Sequence, residues 1–149
     1  MATGIMHIRP YVDEDFESVV ALWNACGLLR PWNDAGRDIA LCCKTASCEL
    51  FVGLRGGGGG SARVVGTVMT GSDGHRGWLY YLAIDPMEQR KGLARALVQH
   101  AEIWLGKQDI RKVELMIRDD NEPVRTFYER IGYRVEPRIV MSRWLKHDE

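Results

Sequence analysis

No stretch of this sequence is apolar for anything near the roughly 20 residues a membrane-crossing helix needs. Charge of one sign is not in excess either. With 20 basic and 20 acidic side chains the formal net charge is zero, and general phosphate-backbone binding wants a basic surplus. Partners of the nucleic-acid or membrane kind are therefore not expected. Cysteine is sparse and unpatterned: there are four, Cys26 far from Cys42, Cys43 and Cys48, with no CxxC spacing. His7, His75, His100 and His147 form no ligand pattern with them, so no metal is expected. Met1 to Arg9 carries no secretory apolar region. Together with reduced thiols, this leads to the expectation of a cytoplasmic protein.

What is present is the make-up of a globular domain. The 149 residues are 46% hydrophobic and 27% charged, so a single domain spanning 1–149 is expected. Ile5 to Arg9 reads as a first strand. A helix follows from Asp13, with Phe16, Val19, Val20 and Trp23 on one face and Gly27 closing it. Leu28 to Asp34 is an aromatic loop, and Arg37 to Lys44 a short helix. Glu49–Leu54 and Arg63–Thr70 read as hairpin strands around the run Gly56 to Gly60 and Ser61, a loose turn. Gly71 to Gly77 is a turn and Trp78 to Ile84 an apolar strand stopped by Asp85-Pro86. A helix spans about Gly92 to Gly106, then a strand Val113 to Ile117. Asn121 can cap a helix whose face is Val124, Phe127, Tyr128 and Ile131, ended by Gly132. Tyr133–Val135 and Ile139–Trp144 are expected as closing strands. Helices distributed among strands give an α/β (α+β) class, with one mixed, largely antiparallel sheet and helices on both faces.

The informative segment is Leu82-Ala83-Ile84-Asp85-Pro86-Met87-Glu88-Gln89-Arg90-Lys91-Gly92-Leu93-Ala94. An apolar strand runs through a short loop into a helix. Small residues at 92 and 94 permit close approach to the backbone. The unpaired N–H groups of the helix start make an anion site, and Arg90 and Lys91 add positive charge. A phosphate cradle and an ordinary strand–helix turn both fit. A nucleotide-hydrolysing P-loop does not, because no Gly-Lys-Ser/Thr follows.

Gln89-Arg90-Lys91-Gly92-Leu93-Ala94 resembles the Arg/Gln-x-x-Gly-x-Gly/Ala signature of the GNAT superfamily of N-acetyltransferases. Asn121 and the run Phe127 to Tyr133 resemble the second half of that family's cofactor site, and the element order matches over nearly the whole chain. The resemblance implies acetyl-CoA as co-substrate, with no metal. Gln89, Arg90, Lys91, Gly92, Leu93 and Ala94 would hold its pyrophosphate, chiefly through backbone N–H groups. Leu82, Ala83 and Ile84 would pair with pantetheine as with an added ladder partner. Asn121 would hydrogen-bond the cofactor, or serve as a plain cap. Tyr128 would be the catalytic acid, or a core aromatic. The LLRPWND loop and the GSDGHRG turn resemble those of a bacterial subgroup, the YpeA-like acetyltransferases. On that likeness Arg30, Trp32, Asn33, Asp34, Asp73 and His75 are substrate-side candidates, with plain turn chemistry as the alternative. The partner implied is an amine acceptor, a small molecule or a protein amine; a homodimer is also open.

The implied reaction is direct attack of a neutral amine on the acetyl thioester in a ternary complex. The strand Trp78 to Ile84 carries no carboxylate, where many members of that family place a glutamate, and on the neighbouring strand Glu114 is followed by Met116 and Ile117 at the end. Either water relayed to Asp34, Asp73 or His75 serves as base, or none is needed. Protonation of a thiolate by a tyrosine is uphill by about 1.5 pKa units, about 2 kcal/mol, unless the amine's charge lies near. Three rivals remain: a non-catalytic acyl-CoA sensor, an acyltransferase with Cys26 or Cys48 as nucleophile, and a nucleotide-binding protein.

Overall fold

The computed structural model describes residues 6–56 and 62–146. The five strands are β1 (His7–Pro10), β2 (Cys48–Arg55), β3 (Arg63–Ser72), β4 (Gly77–Ile84) and β5 (Val113–Glu114). They form one sheet in sequence order. The pairs β2–β3 and β3–β4 are antiparallel, as adjacent hairpin strands must be; β1–β2 is antiparallel across two helices, and β4–β5 is parallel across a helical crossover. The expected class is thus the one observed. The glycine run is entered by Gly56, and residues 57–61 lie outside the described residues, as do Ile5 and His147.

Helices α1 (Phe16–Ala25) and α2 (Ala35–Cys43) cover one face of the sheet; α3 (Leu93–Gly106) covers the other. The sheet's period of two sorts its residues accordingly. Leu50, Val52 and Leu54 of β2 join Val19, Leu22, Trp23, Ile39 and Cys42 in one core. Phe51 points the opposite way and meets His100 and Trp104 of α3 edge-on. On α3 the stripe Leu97, Val98, Ala101 and Leu105 is fully buried. Space for α3 comes from glycines: a Cβ at Gly66 would lie 2.8 Å from Leu97 Cδ1, and one at Gly77 2.7 Å from Leu105 Cδ1.

The first helix begins later than Asp13, because Asp13–Asp15 form a 3-10 turn. Asp15 organises it, accepting the Val12 N–H at 2.9 Å and both guanidinium nitrogens of Arg9 at 2.7 and 2.9 Å. Those donors hold its carboxyl below the usual range, Arg9 foremost.

Residues 116–146 form a unit of their own. Its helix α4 (Glu122–Arg130) starts on Asn121 with proline in the first turn and ends before Gly132, as expected. Of the expected helix face only Tyr128 is buried; Val124 is exposed. The expected closing strands Tyr133–Val135 and Ile139–Trp144 do not form, and the strand from Val113 stops at Glu114 instead of reaching Ile117. Alternating Val, Ile and Met give a segment the propensity for a strand, but a strand exists only with a ladder partner, and none pairs with 116–146 among the described residues. Pro137 also removes a ladder donor between the two segments.

Candidate active site

Strand β4 is irregular where the site begins. Thr67 pairs with Ala83 and Met69 with Tyr80, so Val68 faces both Tyr81 and Leu82: a β-bulge. Tyr81 takes the left-handed φ of 52°, unfavourable by about 1–2 kcal/mol for a residue with a side chain. Tertiary contacts hold it there. Its ring stacks on Trp23 at 3.8 Å between centroids, 10° from parallel. The Trp23 indole N–H donates to the Thr67 hydroxyl at 2.9 Å, and that hydroxyl donates to the Tyr81 carbonyl at 2.8 Å. On its other side β4 meets β5 only at Gly77 and Trp78. From Leu79 to Ile84 that edge has no strand partner among the described residues, which leaves it open to an extended ligand, although the Ile84 carbonyl takes the Cys26 thiol proton. Leu82 is half-buried there, and Ala83 and Ile84 are buried.

The loop after β4 opens with Asp85 accepting the Met87 N–H at 2.9 Å and makes a 3-10 turn over Pro86–Glu88. Gln89, Arg90, Lys91 and Gly92 are exposed. Arg90 and Gly92 are both left-handed, with φ of 66° and 78°, and a Cβ on Gly92 would have nothing within 4 Å. The first bond of α3 runs from the Ala96 N–H to the Gly92 carbonyl at 3.1 Å. The N–H groups of Leu93, Ala94 and Arg95 precede it, the donors a helix start cannot use internally. An open glycine, an unused set of donors and a free strand edge leading to them together fit a coenzyme A pyrophosphate and pantetheine.

A charged knot fastens this loop to the hairpin β2–β3. Glu88, nearly buried, accepts from Lys91 at 2.6 Å, Arg55 at 3.2 Å and Arg63 at 3.1 Å; Arg63 also reaches Asp85 at 2.8 Å. Lys91 above all, then Arg55 and Arg63, hold the Glu88 carboxyl below its ordinary range. Three cations face two carboxylates, so the knot keeps positive charge in excess beside the helix start. Lys91 is thereby committed to Glu88 through its side chain and offers the loop its backbone.

The substrate-side candidates fall in two places. In the 28–34 loop, Arg30 donates to the Gly27 and Leu29 carbonyls at 2.7 and 3.2 Å and bridges to Asn33. Asp34 caps α2 by accepting the Arg37 N–H at 3.0 Å, and Trp32 is half-exposed. In the β3–β4 turn, Asp73 accepts the N–H groups of Arg76 at 2.7 Å and His75 at 2.9 Å and the Trp78 indole at 3.0 Å. Those bonds hold its carboxyl down at about 2, the Arg76 N–H contributing most. His75 is exposed in that turn. Asp34 and Asp73 are thus occupied by local backbone. Glu114 pairs with Arg76 at 3.3 Å.

In the second unit Asn121 caps α4, accepting the Val124 N–H at 3.4 Å. Tyr128 is buried, edge-on to Phe127 at 5.0 Å and to Tyr133 at 5.3 Å. Burial raises its phenol above the ordinary range, so it stays protonated at neutral pH. The cysteine rival loses support at Cys26, which donates its thiol proton to the Ile84 carbonyl at 3.2 Å and whose pKa burial pushes up, away from a thiolate.

One polar pair was not foreseen from sequence. The Tyr81 hydroxyl donates to Asp38 Oδ2 at 2.6 Å. The two residues are far apart in the chain, and each reads locally as ordinary helix or strand. Burial, then the carboxylate, raises the Tyr81 phenol.

Residues 12–133 match the model of the acetyltransferase (GNAT) family. A Yersinia pestis protein described as an acetyltransferase is 38% identical over 144 residues, covering 97% of this chain and 99% of its own. Among solved structures, a transcriptional regulator from Bacillus halodurans superposes with a TM-score of 0.79 at 16% identity, over 94% of this chain and 100% of that one. AAC(6')-Iy, solved with the bisubstrate analogue CoA-S-monomethyl-acetylneamine, gives 0.76 at 14% identity, over 94% and 98%. At such identities the structures speak for the fold.

Proposed function

The chain belongs to the acetyltransferase (GNAT) family, and from that premise we propose that it transfers an acetyl group from acetyl-CoA to a primary amine by direct attack in a ternary complex. The observation that carries this reading is the free edge of β4 leading into a loop whose Gly92 is open and whose helix-start N–H groups are unused. The family match crosses from the first unit into the second, which supports one acetyltransferase domain over the chain.

In this reading the backbone of Arg90 to Ala94 binds the pyrophosphate and the edge at Leu82 to Ile84 holds pantetheine in line. When bound, the acetyl thioester supplies an electrophilic carbonyl. A β4 N–H near Leu82 faces the oxygen on which charge develops. Tyr128 keeps its proton at neutral pH and is the candidate donor to the leaving sulfur. Asn121 serves α4 as a cap and is proposed to contact the cofactor as well.

The likeness of aminoglycoside N-acetyltransferases in fold supports small polar amines as acceptors to be tried. The test is calorimetry with acetyl-CoA, followed by thiol release with a panel of alkylamines, amino-terminal peptides and aminoglycosides. Binding and amine-dependent release are expected. Binding without release by any amine would favour an acyl-CoA sensor instead.

A further inference from the structure

We propose that the Asp38 carboxylate, held by the Tyr81 hydroxyl, is the seat of the acceptor's positive charge, so that the amine binds as an alkylammonium ion and releases one proton to water before it attacks as the neutral amine. The inference rests on the reading that the β4 edge beside it holds the acyl donor.

Placement comes first. Tyr81 lies at the bulge, next in sequence to Leu82, so whatever occupies that edge passes the residue Asp38 touches. The carboxylate is thereby joined, through the Tyr81 side chain, to the residue that adjoins the proposed line of the thioester, although it comes from α2, on the face of the sheet that α1 and α2 cover.

Fixity comes second. The Tyr81 ring cannot swing away, because it is stacked on the fully buried Trp23, whose indole is tied through Thr67 to Tyr81's own carbonyl. A 2.6 Å bond from so fixed a phenol gives the carboxylate a fixed position. An ionised carboxylate has about four acceptor sites and the phenol fills one, so capacity for further N–H donors remains.

Surroundings come third. Register puts Trp78 and Tyr80 on the same face as Tyr81, opposite Gly71 and Met69, and Met69 packs on the same cluster as Tyr81. Tyr80 is 44% exposed. Aromatic faces and a carboxylate together favour an alkylammonium ion over a neutral or anionic acceptor. Asp34 and Asp73, the carboxylates named as candidate bases, serve local backbone, and Glu114 on β5 serves Arg76.

The test compares acceptors that differ in charge. Asp38→Asn keeps the size of the side chain and an oxygen for the Tyr81 hydroxyl, and removes only the charge. Wild type and variant are assayed with acetyl-CoA and either 1,4-diaminobutane, an alanyl peptide amide or kanamycin, all cationic. Methoxyamine, uncharged at neutral pH, is the comparison. The KM for the cationic acceptors should rise roughly 10- to 100-fold, the loss of one charge-assisted contact. The KM for methoxyamine and the calorimetric Kd for acetyl-CoA should stay within about twofold. Tyr81→Phe keeps the stack on Trp23 and loosens the carboxylate, so it should raise the same KM by a smaller factor. Equal changes for charged and uncharged acceptors, or none, would overturn the proposal and leave Asp38 as a tie between α2 and β4. A wild type that binds acetyl-CoA but acetylates no amine would instead overturn the transferase reading.

Discussion

Replacing Gly92 by alanine separates the two things a glycine can be for. Its φ is +78°, so alanine there costs about 1–2 kcal/mol of backbone strain. The new Cβ would meet nothing of the protein within 4 Å, so no clash adds to that cost. For a chain of this size the melting temperature should fall by about 2–8 °C, with the fold intact. Affinity for acetyl-CoA should fall much further. A methyl group in the space in front of the helix-start N–H groups displaces a pyrophosphate from charge-assisted bonds worth about 1.5–3 kcal/mol each. Losing even two such bonds weakens Kd roughly 100-fold or more. Gly27→Ala is the matched control, with φ of +71° and likewise nothing within 4 Å. It should show the same thermal penalty and an unchanged Kd. Gly92→Asn completes the set, since asparagine tolerates the left-handed region while still filling the space. Calorimetry and thermal melts of the three variants decide the matter. A Kd within threefold of wild type for both Gly92 variants would refute the cradle.

Tyr128→Phe keeps the buried ring and removes only the hydroxyl; single-turnover rates should drop roughly 100- to 10,000-fold with cofactor affinity little changed, and an unchanged rate would return Tyr128 to a packing role. Asp15, Glu88 and Asp73 all have folded-state pKa values below their unfolded ones. Their contributions are therefore complete above about pH 4–4.5 and are lost as pH falls through the lower folded values, down to about 2 for Asp73. Melting temperature against pH should accordingly decline below about pH 4.5, and less steeply in Asp15→Asn. Gly66→Ala drives a methyl group against Leu97, Ile84 and the Ala83 carbonyl and should cost about 1–3 kcal/mol in urea unfolding.

Most of the framework was legible because it is written in local periodicity. The runs rich in Val, Leu and Phe over 48–55 and 63–72, bounded by turn residues, and the apolar stripe of Leu93, Leu97, Ala101 and Trp104 each point to one geometry. Asn121 and Pro123 announced α4 because a helix start has its own chemistry. The turn over 89–94 from strand to helix was legible because Gly92 can take the left-handed φ found there. The closing strands were misread because Ile139 to Trp144 has strand propensity while pairing is not a local property. Asp38, Tyr81 and Glu88 stayed hidden for a related reason. Each gains its meaning from a partner on another element: Tyr81 from Trp23 and Asp38, Glu88 from Arg55 and Arg63. Asp34 and Asp73 were ambiguous because a turn carboxylate that binds backbone and one that binds a ligand look alike in sequence.

The Thr67 hydroxyl has one proton and two neighbours, so its direction is settled: it receives from the indole and gives to the Tyr81 carbonyl. Flattening the bulge would take the Tyr81 carbonyl away and leave the Thr67 hydroxyl proton without an acceptor in a fully buried place, a penalty of about 1–3 kcal/mol. The distortion of β4 is therefore not something a ligand has to induce. Folding has already installed it, and a molecule arriving at that edge meets a mould rather than a surface to be reshaped. Its binding free energy is then free to go into orientation at the reacting atoms, the use for which an enzyme needs it most.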